Sequence, residues 1–128
     1  MIYLLDTCTF LWLASQPEML SRKAKAVCND PGNQLWLSDV SAWEMVLKEA
    51  SGKLELPDPP RIWVPLSRAR HGLTQLVLRE SSVYLSGELP DVHRDPFDRL
   101  LAAQSIEHGM KVLSPDKPLD LLGADRVW

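Results

Sequence analysis

Several things are scarce in these 128 residues, and each shortage closes a class of function. There are two cysteines, Cys8 and Cys28, and no C-x-x-C pair. Without a secretory context they make no disulfide framework and read as buried or half-buried free thiols. The three histidines, His71, His93 and His108, fit no H-E-x-x-H pattern, which argues against a zinc site. Long apolar runs are missing: Phe10 to Ala14 falls far short of the ~20 residues that span a bilayer. No basic region precedes the first apolar residues and no small-residue cleavage site follows, so neither a membrane anchor nor a signal peptide is expected, and the default compartment is the cytoplasm. A basic excess is missing too. Residues 1–64 carry 6 basic and 8 acidic side chains, residues 65–128 carry 8 and 9, and the net charge is −3. That excludes a coat for non-specific DNA binding. It leaves a nucleic-acid substrate open, because a metal ion can supply positive charge locally.

What is present is ordinary for a soluble domain: 45% hydrophobic and 24% charged residues. The length predicts one domain over residues 1–128, with roughly 68% of the unfolded surface buried on folding. Ile2 to Leu5 reads as a fully buried strand, and Gln34–Leu37, Leu73–Leu78 (by its apolar content) and Lys111–Ser114 read as further strands. Arg126–Trp128 reads as a last edge strand. Between them lie helical stretches: Thr9–Ser15, Arg22–Cys28 capped by Ser21, Ser38–Ser51, Arg61–Arg70, Glu80–Leu89, and a long helix opened by Asp95-Pro96 and closed by Gly109. Val40, Trp43, Val46, Leu47 and Ala50 recur at helical spacing and make Ser38–Ser51 the clearest helix, ended by Gly52. Pro115–Pro118 reads as a turn. Short apolar strands alternating with helices predict an α/β layered fold with a mainly parallel sheet.

Four carboxylates occupy telling places in that scheme. Asp6 follows the first strand directly, Glu44 lies early in the helix after the second, Asp98 is in the first turn of the long helix, and Asp116 follows Lys111–Ser114 by one proline. Ligands of open parallel sheets bind outside the carboxyl ends of the strands. Each acid also has a bland reading. Asp6 suits a turn or N-cap, Ser41-Ala42-Trp43-Glu44 fits a capping box, the helix dipole favours Asp98, and Ser-Pro-Asp-Lys is a good turn around Asp116. Taken together, packed carboxylates need a counter-charge, and all-oxygen ligands suit Mg²⁺ or Mn²⁺. Such an ion equips a site for phosphodiester hydrolysis without a nucleophilic side chain, and no Ser–His–Asp or Cys–His signature is present.

Four ordered segments carry a family resemblance: Tyr3-Leu4-Leu5-Asp6-Thr7; Ser38-Asp39-Val40-Ser41-Ala42-Trp43-Glu44; His93-Arg94-Asp95-Pro96-Phe97-Asp98-Arg99 with Leu100 to Gln104; and Val112-Leu113-Ser114-Pro115-Asp116. In this the chain resembles the PIN-domain endoribonuclease toxins of type II toxin–antitoxin modules, the VapC group. The resemblance implies a three-layer α/β/α PIN-like fold, an acidic pocket for Mg²⁺ or Mn²⁺, RNA as substrate, a cognate antitoxin as inhibitor, and a homodimer. Asp6, Glu44, Asp98 and Asp116 match the family's four acids. Pro115 stands where many relatives have Arg or Asn. Asp95 competes with Asp98 for the third place, but its position before Pro96 gives it an N-cap role.

Thr7 and Ser114 are then expected to hold carboxylates by hydrogen bonds, or to be plain turn hydroxyls. Lys48 and Arg99 are expected to contact substrate phosphate, with Lys48 equally an i,i+4 partner of Glu44. Arg61, Arg68, Arg70 and His71 read as a solvated helix face. Trp12 is the best-placed tryptophan for a partner contact. Two alternatives stay open: a PIN-like nuclease of RNA processing, and a non-catalytic binding module of the same fold. A phosphate-transfer receiver domain fits poorly, since Asp6 stands alone after the first strand.

Overall fold

The first apolar run of the chain is the middle of the sheet. In the computed structural model, which describes residues 1–128, β1 (Ile2–Leu5) lies between β2 (Gln34–Ser38) and β4 (Lys111–Leu113). β3 (Thr74–Leu76) and β5 (Arg126–Val127) form the edges. The order is β3-β2-β1-β4-β5 and every pairing is parallel, as the alternation of strands and helices predicts.

Period-two alternation in the central strands divides the core into two layers. Tyr3 and Leu5 point to one face, where they join Phe10 of α1 (Thr7–Ser15), Ala24 and Val27 of α2 (Arg22–Asn29), and Trp63 and Val64 of α4 (Pro60–Arg70). Leu4 points to the other, with Val40 of α3 (Asp39–Ala50) and Leu100 and Leu101 of α6 (Pro96–His108). On that side Val112 packs on Ala102 of α6 and on Leu119 of α7 (Pro118–Leu121). Leu4 and Leu5 are both fully buried, so each contributes about 2 kcal/mol of burial energy. α5 (Glu80–Glu88) packs along α6. The three-layer architecture is thus present.

Helix starts follow their caps. Ser21 Oγ accepts from Ala24 N–H, Asp95 Oδ1 from Phe97 N–H, and Gly109 ends α6 at φ +64°. α3 departs from its local pattern in two ways. Its cap is Ser38, whose Oγ accepts from Val40 N–H at 3.0 Å, so the Ser41–Glu44 box does not form. Its buried residues are Val40, Ser41, Glu44 and Met45, whereas Trp43, Val46 and Leu47 are 47%, 48% and 45% exposed. The helix is turned so that a carboxylate enters the molecule, and its apolar stripe is displaced outward; Trp43 instead packs edge-on against Phe97, with ring centroids 4.8 Å apart. Tertiary demand has overridden periodicity here. The expected Pro115–Pro118 turn is shorter, because Pro118 is already the first residue of α7.

Candidate metal centre in an acidic cleft

Asp6 leaves β1 at the carboxyl end of the central strand and is 3% exposed. Its Oδ1 accepts from Thr9 N–H at 2.8 Å, which caps α1. Its Oδ2 accepts from Ser114 Oγ at 2.5 Å. The N-cap reading therefore accounts for one oxygen and not the other. Ser114 is buried directly after β4, the neighbour of β1, so sheet order brings together groups far apart in sequence.

The other three acids arrive from different elements. Glu44 projects from α3; one oxygen accepts from Thr7 Oγ1 at 2.6 Å and the other from Lys48 Nζ at 2.6 Å. Asp98 sits in the first turn of α6, its Oδ2 2.8 Å from His93 Nε2. Asp116 lies just past β4 and donates its backbone N–H to Ser114 Oγ at 3.0 Å. A hydrogen bond from Ser38 Oγ to Gln104 Oε1, at 2.5 Å and fully buried, ties the start of α3 to α6. It fixes the helices that carry Glu44 and Asp98 relative to each other. All four acids line one cleft of about 730 Å³, with Asp95, Glu55, Lys48 and Lys53. Its place outside the ends of β1, β2 and β4 is the crevice where open parallel sheets bind ligands.

Six carboxylates and two lysines line this cleft. The imbalance is felt by the acids. Burial pushes the Asp6 carboxyl up to about 6; the bonds from Ser114 and Thr9 pull it down, and the Asp116 charge pushes it up again. Asp98 is also raised, first by burial and then by Asp95 and Asp116, with His93 opposing. The hydrogen bond to Glu44 raises Lys48. Burial, with the Asp6 and Asp116 charges, drives the Cys8 thiol up to about 12, so it is no nucleophile. The direct hydrogen-bond partners of Asp6 are neutral: a backbone N–H and a serine hydroxyl. A buried carboxylate with no basic partner, in a cleft rich in like charge, fits a hard divalent cation held by oxygen ligands.

The remaining expected residues divide. Thr7 and Ser114 grip Glu44 and Asp6. Lys48 is the i,i+4 partner of Glu44 and also lines the cleft. Arg99 does not: its guanidinium donates to the carbonyls of Ser86, Leu89, Pro90 and His93. Carbonyls in the last turn of α5 and in the loop after it draw the side chain inward, which corrects the expectation of a phosphate contact. Asp95 caps α6 and lines the cleft as well, so the two roles weighed for it are compatible. Trp12 is on the cleft wall and packs on Trp128 at 5.9 Å. Arg61, Arg68, Arg70 and His71 are not on the cleft wall. Sequence reasoning passed over His93 at the Asp98 carboxylate. The spacing His-x-Asp-x-x-Asp, straddling a proline-started helix, was the available signal.

A parallel α/β sheet with a carboxylate cluster gathered at its central strand ends defines a class: proteins built around an acidic, cation-ready rim. Residues 3–124 match the PIN domain, and the chain belongs to that family. It is 28% identical over 120 residues to Ribonuclease VapC22 of Mycobacterium tuberculosis (strain ATCC 25618 / H37Rv), covering 91% of this chain and 88% of that one. Among solved structures, VapBC2 from Rickettsia felis bound to a DNA fragment from their promoter superposes with a TM-score of 0.73 at 13% identity, covering 100% of this chain and 99% of that one. VapBC-1 from nontypeable Haemophilus influenzae gives 0.63 at 17% identity, covering 100% and 96%. At these identities the structures speak for the fold alone.

Proposed function

We propose that residues 1–128 form a single PIN domain acting as a metal-dependent endoribonuclease, the toxin component of a type II toxin–antitoxin pair. The observation that carries this reading is the meeting of Asp6, Glu44, Asp98 and Asp116, from four separate elements, in one cleft. Membership of the PIN family and the similarity to a ribonuclease support it. The partners on this reading are RNA, a cognate antitoxin and a second copy of the chain, and the compartment is the cytoplasm. No helix of the chain is long and apolar enough to cross a membrane.

Asp6 and Asp98 would hold the cation most directly, with Glu44 and Asp116 as its further acids. Mg²⁺ or Mn²⁺ suits these donors. When bound, such a cation acidifies water and offsets charge building at phosphorus. Ser114 and Thr9 fix the two oxygens of Asp6, so this carboxylate is oriented before substrate arrives. Thr7 and Lys48 do the same for Glu44. The Lys48 side chain is 47% exposed, free to share its charge with a phosphate at the rim. Trp12 and Leu56 give the cleft an apolar wall beside the acids.

The test is cleavage of a mixed RNA panel by antitoxin-free chain with Mg²⁺, Mn²⁺ or EDTA, beside Asp6→Asn and Asp98→Asn. Metal-dependent cutting abolished by both substitutions is the expected result. Cutting that survives both sinks the proposed site.

A further inference from the structure

Behind two of the cleft's acids, Asp95 and Asp98, stands a side chain that could bind a metal and is not a carboxylate. One ligand atom each from His93, Asp95 and Asp98 lie within 4.8 Å of one another. Neighbouring ligands on an octahedral ion with bonds of about 2.1 Å are about 3 Å apart, and opposite ones about 4.2 Å. His93 Nε2 and Asp98 Oδ2, at 2.8 Å, have the spacing of neighbours on one ion.

The ring is also held in place. Its segment is clamped by Arg99, which donates to the backbone carbonyl of His93 itself at 2.9 Å and to those of Ser86, Leu89 and Pro90. These are charge-assisted bonds, stronger than neutral ones. The His93 and Asp98 side chains are only 24% and 15% exposed, unlike a freely solvated surface pair. Asp95 is fixed by its cap bonds through Oδ1, which leaves its second oxygen without a protein partner. Asp98 is common to both groups: the Asp116 charge reaches it from β4, and His93 reaches it from the clamped loop.

We propose that His93 is a nitrogen ligand to the cation of the cleft, forming with Asp95 and Asp98 a mixed nitrogen–oxygen set. This rests on the reading of the cleft as a divalent-cation site. Arg99 is then a positioning residue, acting through the loop it clamps. Imidazole favours transition ions, whereas Mg²⁺ prefers oxygen. His93 therefore adds more to the affinity for Mn²⁺, a transition ion that accepts imidazole, than to the affinity for Mg²⁺.

The experiment is Mn²⁺ titration of the metal-free full chain, followed by pulsed electron paramagnetic resonance. Wild type is expected to show ¹⁴N modulation from a directly bound imidazole, altered on labelling histidine with ¹⁵N. His93→Gln is expected to lose that modulation and to bind Mn²⁺ at least ~10-fold more weakly, with Mg²⁺ affinity changed by less than about threefold. His93→Asn is the second variant should the first fail to fold. Mn²⁺ bound without nitrogen coupling, or coupling that survives the substitution, overturns the His93 assignment and leaves the carboxylate reading standing. No Mn²⁺ binding by wild type overturns both.

Discussion

The two ends of the same strands make opposite surfaces. At the carboxyl ends lies the acidic cleft, with six carboxylates against two lysines. At the amino ends of β1 and β4 lies a second hollow of about 530 Å³, lined by Met1, Ile2, Ser105, Ile106, Met110, Lys111 and Asp125 among others. There the charges are matched: Lys111 Nζ sits 2.9 Å from Asp125 Oδ2. Ser105 Oγ donates to Ala102 O at 2.8 Å, so that hydroxyl is satisfied within its own helix. One end answers its own polar groups; the other leaves charge unanswered. A hollow alone does not mark function. Charge without a partner in the protein implies a partner outside it.

The largest test of this contrast is activity. Asp98→Asn is expected to lower RNA cleavage at least ~100-fold, more than the loss of a supporting residue would, while Asp125→Asn at the other end changes it by less than about twofold. Initial rates on one RNA under saturating Mn²⁺ check both. Equal losses would break the contrast.

Stability should move the opposite way. The Asp6 carboxyl is raised to about 6 in the folded chain, so its ionisation opposes folding. In the metal-free chain its favourable contribution is complete below about pH 4 and is lost as pH rises through about 6. Asp6→Asn is therefore expected to stabilise the metal-free chain by about 3 kcal/mol at pH 8 and by nothing measurable at pH 4. Urea unfolding at the two pH values decides it. A smaller effect follows from Ser114→Ala, which removes the serine hydroxyl on Asp6 and should weaken Mn²⁺ or Mg²⁺ binding about 10-fold by calorimetry. The smallest is Lys111→Met, which breaks an exposed pair and should leave thermal unfolding essentially unchanged.

Much of this was legible without coordinates. Ile2–Leu5 and Lys111–Leu113 are too apolar and too short to be anything but buried strands, so the acids that follow them had to lie at strand ends. Asp95-Pro96 announces α6 because both residues suit only a helix start. The faces of α3 were not legible: Trp43, Val46 and Leu47 keep a helical period, but nothing local shows that Ser41 and Glu44 must face inward. α7 spans four residues between prolines, too short for any period to show. Arg99 was misplaced and His93 passed over for a common reason. Where a long or planar side chain turns depends on which carbonyls or carboxylates the loop after α5 presents, and that loop takes its shape from packing.

The placing of β1 has a consequence for how the chain is made. Of the five strands it is made first, yet it gains its second neighbour only after β2, β3 and four further helices have been made, because one neighbour is β2 and the other is β4. Asp6 is synthesised 108 positions before the serine that orients it. Contacts of such long range close late and slowly. A nascent chain therefore carries the first acid long before the cleft that gives it meaning, and the order of synthesis itself delays competence until β4 docks.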